Sequence, residues 1–213
     1  MEANTIIDNQ DTSIRNTEAE FSLQEMFVSK TDKKGIIEFG NNVFIRVSGY
    51  KEEELIGSPH NIIRHPDMPK SVFKLFWNKI KKDEPIIAYV KNQSQDGRYY
   101  WVLATVFSND EGYFSIRIKP SSSLFKKVEN LYSEILNVEN EKGVDYALQM
   151  LISEIGKLGF DSYESFMVYA MMTELESKDK LLDQSESHLM SPPTDEILLR
   201  IIYEMTAITS QTA

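Results

Sequence analysis

Two long apolar runs, IIAYVKNQ at 86–93 and RYYWVLATVFS at 98–108, flank an Asp96-Gly97 pair. Asp-Gly adopts the left-handed backbone of a tight hairpin turn at little cost, so the two runs are expected to pair antiparallel. A second turn, NDEG at 109–112, returns the chain into YFSIRIKP at 113–120. Antiparallel hairpins therefore dominate, with one long helix in the middle of the order. MFVSKTD (26–32) and IIEFG (36–40) read as another hairpin across KKG. NNVFIRVSGY (41–50) reads as a short helix, capped by Asn41 or Asn42 and stopped by Gly49, and KEEELIG (51–57) as one more helical turn. In MPKSVFKLFWNKIKKDEP (68–85), Val72, Phe73, Phe76, Trp77 and Ile80 recur at helical spacing, with lysines on the other face. The expected fold class is α+β, a five-stranded antiparallel sheet with helices on one face.

Between these helices lies PHNIIRHPDMPK (59–70), where three prolines leave room for one helical turn near 60–64. It concentrates His60, Arg64, His65 and Asp67 in a stiff segment. A metal site is disfavoured: the histidines are five apart, Pro66 interrupts any helix, and a third strong ligand is lacking. No nucleophile elbow, phosphate loop or isolated carboxylate pair is present, so the chain is expected not to be an enzyme. A ligand lid remains open. Arg64 offers a fork of donors, His65 a ring, Asp67 an orienting acceptor, and Trp77 an apolar surface for a flat heterocycle. A local Arg64–Asp67 ion pair, with Trp77 as simple core, explains the same residues equally well.

Composition narrows the field. The chain has no cysteine, which excludes disulfides, thiolate metal sites and a cysteinyl light adduct, and fits a reducing, cytoplasmic setting. No run of apolar residues is long enough to span a membrane, and the N-terminus lacks an apolar signal core. Residues 26–121 hold 15 Lys and Arg against 11 Asp and Glu, and the remainder holds 8 against 22. Acidic flanks disfavour nucleic acid as a partner.

Beyond Pro120, Leu124, Val128, Leu131, Ile135 and Val138 form a short heptad seam that Gly143 ends. The seam suggests a helix that pairs across a dimer or docks on a partner. Two amphipathic helices follow at 144–158 and 162–176, the second with Asp161 and Glu164 as an expected capping pair. A polar linker is expected near 177–194, and a last helix over 196–208. The domain reading is therefore a flexible segment 1–22, a sensor domain 23–121, a signalling helix 122–142, and a helical region 143–213.

The stretch from Val28 to Val106 resembles a PAS domain, through the Asn41-to-Phe44 step, Ser48-Gly49-Tyr50 and the Gly97-to-Val102 pattern. PHNIIRHPDMPK and the later VKN make it similar, more narrowly, to the flavin-binding PAS domains of Aer-type aerotaxis receptors. The resemblance implies FAD held between sheet and helices as a redox sensor, with Arg64, His65, Asp67, Trp77, Asn41 and Asn92 at flavin-linked positions. Asn41 also fits a plain helix cap. Where Aer-type receptors carry a membrane anchor and a signalling tail, this sequence shows neither. It looks more like the bipartite, CetB-like arrangement, in which a soluble PAS protein signals to a separate membrane-bound chemoreceptor. The SNDEG turn is also shorter than the family's usual loop. Two rivals stay open here: a cofactor-free PAS adaptor, and a haem PAS using His60 or His65 as axial ligand.

Overall fold

The computed structural model describes residues 15–185. Its elements are β1 (Met26–Asp32), β2 (Ile37–Gly40), α1 (Asn42–Ser48), α2 (Glu52–Leu55), a 3-10 turn (His60–Ile63), α3 (Lys70–Ile80), β3 (Ile86–Gln93), β4 (Tyr99–Ser108) and β5 (Gly112–Ile118), followed by α4 (Ser123–Lys142), α5 (Val144–Lys157) and α6 (Tyr163–Ser185). The five strands form one antiparallel sheet in the order β2-β1-β5-β4-β3, as the hairpin signals imply. Asn41 caps α1 by accepting from the Phe44 N–H, and Gly49 ends it in the left-handed region at φ 75°.

Register sorts the side chains onto two faces. Ser29 pairs with Ser115, Phe27 with Arg117, Val106 with Ser115, and Val90 with Val102. Because side chains alternate along a strand, these residues share one face with Thr31, Asn92 and Ala104. The helices α1 to α3 cover that face. Tyr89, Trp101, Leu103 and Ile118 point the other way and are buried.

The second face is covered by the C-terminal helices. Phe125 of α4 packs 5.7 Å from the Tyr89 ring and 5.3 Å from Trp101, and Tyr132 lies 6.2 Å from Trp101. Leu124, Val128 and Ile135 of the heptad seam are buried in the same core as the sheet residues. The seam expected to pair with a second chain is thus satisfied within this one. Edge strand β3 is closed by α6: the Tyr163 hydroxyl donates to the Ile87 carbonyl at 3.0 Å, and the Ile87 N–H points at Met167 Sδ at 2.9 Å. Exposed backbone on an edge strand invites pairing with another chain, and this contact removes that opening.

Three further differences from the sequence reading have local causes. Residues 15–22, expected to be flexible, form a strap beside β4 where β5 has ended: Tyr99 N–H donates to Thr17 O and Ala19 N–H to Tyr99 O, and Phe21 sets its ring edge against Phe27. α6 continues through the residues expected to begin a linker, since Leu175 and Lys178 are still buried. Its first turn is capped by Ser162 and Ser165, each N–H donating to the other's hydroxyl, and not by Asp161 and Glu164. Residues 1–14, the later part of the expected linker and the helix expected over 196–208 lie outside the described residues.

Candidate functional site

The proline-rich segment crosses the first sheet face from edge to edge. At its start, Gly57 N–H donates to Ile37 O, Ile37 N–H to Ser58 O, and His60 N–H to Gly35 O, which ties it to β2. At its far end Arg64 forms a backbone bridge with Asn92 of β3. Ile63 is buried and anchors the turn between them. Pro59 limits the backbone at the entry to the turn. The stiffness seen in the sequence is that of a strap pinned at both sheet edges.

Beneath the strap is a cavity of about 230 Å³. Its aromatic wall comes from α3 (Phe73, Phe76, Trp77) and from Tyr113 of β5. Its polar wall holds Arg64, His60, Asn61, Asn92, Ser29, Ser115 and Arg117, with Lys34 and Gly35 beside Trp77. No aspartate or glutamate lines it.

Arg117 is only 5% exposed and projects from β5 beneath the strap. Both its terminal nitrogens lie 3.0 Å from Ser29 Oγ, and Nη2 donates to His60 Nε2 at 2.7 Å. Burial lowers its pKa to about 10, so it stays charged at neutral pH. His60 stacks on Phe44 at 5.9 Å with the rings 5° from parallel. Burial, then the charges of Arg117 and Arg64, push its pKa down to about 3, consistent with a neutral ring whose Nε2 accepts. The Arg64 guanidinium lies 3.9 Å over the Phe73 ring, and burial lowers its pKa. Among the described residues, neither arginine has a carboxylate partner. Arg64 Nε, Asn92 Nδ2 and Ser115 Oγ are buried without a hydrogen-bond partner. Orphaned buried donors are costly, and the three around this cavity are groups that a ligand's acceptors, or water, can satisfy.

The six sequence-selected residues divide evenly. Arg64, Trp77 and Asn92 line the cavity. Asn41 does not: besides capping α1, its Oδ1 accepts from the Val28 N–H and its Nδ2 donates to Met26 O, stapling α1 to β1. His65 is 1% exposed but faces away from the cavity, edge-on to Tyr99. Its Nδ1 accepts from the Asp67 N–H at 3.1 Å, so the Asp67 carboxylate 3.5 Å away meets a neutral ring. Burial, then Lys91, lowers the His65 pKa. The Asp67 carboxylate instead binds Lys91 at 2.7 Å, outside the cavity, and the alternative Arg64–Asp67 pair is not formed. Sequence reasoning missed Arg117, Ser29, Ser115 and Asn61, and weighed His60 only as a metal or haem ligand. An arginine on the inward parity of a strand was the available signal for Arg117.

The family profile described as the PAS fold matches residues 37–115, which hold most of the cavity lining. Residues 37–115 are a PAS domain. The chain is 38% identical over 136 residues to the aerotaxis receptor of Escherichia coli (strain K12), covering 62% of this chain and 27% of the receptor. It therefore spans about a quarter of that relative's length. It is 27% identical over 71 residues to the bacterioopsin transcriptional activator of Halobacterium salinarum, covering 33% of this chain and 10% of that protein. Among solved structures, the light state of the blue-light photoreceptor Aureochrome1 LOV is similar at a TM-score of 0.43 and 22% identity, over 51% of this chain and 91% of that one. The PAS domain of a Colwellia psychrerythraea protein is similar at 0.40 and 18%, over 44% and 85%. Among the described residues, no helix is long and apolar enough to cross a membrane.

Proposed function

We propose that the PAS domain binds FAD and that the chain is a redox sensor, without a catalysed reaction of its own. Its state would be read by a partner protein, a membrane-bound chemoreceptor on a separate chain, in the cytoplasm. The observation that carries the reading is the cavity's donor set: two guanidinium groups without acidic partners and three orphaned polar atoms, facing an aromatic wall. A flavin is flat, rich in acceptors along one edge, and anionic through its phosphates, so the residues present fit it. Arg64, Arg117 and Asn92 would meet acceptors, and Trp77, Phe76 and Tyr113 would pack the ring system. When bound, FAD supplies a reversible uptake of electrons that alters charge and hydrogen bonding at its ring. The similarity to the aerotaxis receptor of Escherichia coli supports the same sensory setting.

The geometry does not favour haem, because His60 Nε2 already accepts from Arg117 and His65 lies outside the cavity. A cofactor-free adaptor would have no use for three orphaned donors around a cavity. The test is to denature the protein purified from cells and identify what is released by chromatography and mass. FAD near one per chain is expected. Haem, or no cofactor even after reconstitution with FAD, would overturn the reading.

A further inference from the structure

Helix α3 supplies Phe73, Phe76 and Trp77 to the cavity, so its placement sets the shape of the site. Its first turn needs acceptors for N–H groups that the helix itself cannot satisfy. Pro69, at the cap position, offers no side-chain acceptor. The acceptor comes from far along the chain. Glu139, in the last turn of α4, takes the Lys70 N–H on Oε1 at 3.0 Å and the Ser71 N–H on Oε2 at 2.8 Å. Glu139 is buried, and its negative charge lies at the positive end of the α3 dipole. The Ser71 hydroxyl at the same joint is buried and unpartnered, a donor within the joint that this arrangement leaves unused.

A second buried carboxylate extends the grip to the sheet. Glu174 of α6 accepts from the Ser121 N–H at 2.6 Å, the Ser122 N–H at 2.9 Å, the Ser122 hydroxyl at 2.5 Å and the Tyr89 hydroxyl at 2.7 Å. Tyr89 sits on β3 next to Val90, which lines the cavity. The C-terminal helices thus hold both α3 and β3, the elements on either side of the site. An exposed ion pair, Lys74 to Asp145, runs between α3 and α5 as well.

We infer that Glu139 is a positioning residue for the cavity, and that its cap on α3 couples occupancy of the site to the packing of α4 and α5. The occupancy part rests on the FAD reading; the cap does not. A ligand that fixes Phe73, Phe76 and Trp77 fixes α3, and α3 then holds Glu139 more firmly. The effect is reciprocal, because two equilibria joined through one contact must influence each other equally.

Backbone hydrogen exchange on the full chain tests this, comparing wild type, Glu139→Gln and Asp145→Asn. Loss of a cap of about 1.4 kcal/mol corresponds to roughly tenfold faster exchange, expected in the ligand-free Glu139→Gln variant at α3 and not in the central strands. Asp145→Asn, which removes only the exposed pair, is expected to leave α3 near wild type. Added FAD is expected to slow exchange in α4 and α5 of the wild type, with that response lost in Glu139→Gln. Should Glu139→Gln fail to fold, Glu139→Asp keeps the charge on a shorter arm and is expected to loosen α3 selectively. Unchanged α3 exchange, or uniform acceleration in every element, would overturn the inference. A wild type that binds no FAD would sink the cofactor reading, while the ligand-free comparison would still decide the role of Glu139.

Discussion

Arg117 and Asn92 show how this cavity differs from an ordinary core at the level of single side chains. Arg117 is a buried cation held by a serine hydroxyl and a neutral imidazole, and Asn92 keeps a buried amide nitrogen unpaired. Removing an unpaired donor relieves a cost in the empty protein, whereas removing one that meets a ligand acceptor weakens binding. Asn92→Ala is therefore expected to leave thermal stability without ligand unchanged or raised, and to weaken FAD binding about tenfold, near 1.4 kcal/mol. Calorimetric titration beside a melting curve checks both halves. His60 gives a pH signature. Its pKa lies at about 3 in the fold, against 6.5 for the free side chain, so between those values the unfolded chain binds more protons. The stability from the neutral ring is complete above about 6.5 and falls as pH falls through that window, by up to about 1.4 kcal/mol per unit. Urea unfolding at stepped pH is expected to show a shallower slope for His60→Gln between pH 6.5 and 5; an unchanged slope would contradict the neutral, accepting ring. His65 is shifted the same way, so part of the slope should remain. Residue type and spacing selected Arg64 and Trp77, since a donor fork and a large ring carry their chemistry wherever they sit, whereas Asn92 came from the resemblance to Aer-type PAS domains. Direction was not legible. His65 and Asp67 flank Pro66, and nothing in their spacing says that one faces Tyr99 and the other Lys91.

The elements themselves were legible where local chemistry fixed them, as at the Asp96-Gly97 turn and the α1 cap. Helix α4 shows the limit. A heptad seam reports a buried stripe but not the chain that buries it. Here Ile135 is fully buried among the protein's own residues. Ile135→Ala is expected to cost about 2–5 kcal/mol of stability with no change in molecular mass. Denaturant unfolding and light scattering decide between this and a seam shared by two chains, for which the mass would fall. At the other end of the sheet, a Cβ on Gly112 would lie 2.0 Å from the Thr31 carbonyl oxygen. Gly112→Ala must therefore separate β1 from β5 and is expected to lower the melting temperature by several degrees, on the order of 1–3 kcal/mol.

As a whole, the chain carries a PAS fold at residues 37–115, and its own C-terminal helices close the second face of the sheet. That closure was not legible, because amphipathic periodicity shows that α4, α5 and α6 have an apolar face without saying what it meets. Tyr89, Trp101 and Leu103 are buried at or near that cover. A chain ended after Pro120 is expected to self-associate and bind a hydrophobic dye, by light scattering and fluorescence; a well-dispersed monomer would show that the cover is dispensable. The strapped, acid-free cavity is proposed to hold a flavin. The most direct measurement is the visible absorption spectrum after incubation with FAD and gel filtration, for wild type and Arg64→Ala. Flavin bands are expected to travel with the wild type and to be lost or strongly reduced in the variant. A colourless wild type, or a variant that retains full flavin, would contradict flavin binding in this cavity.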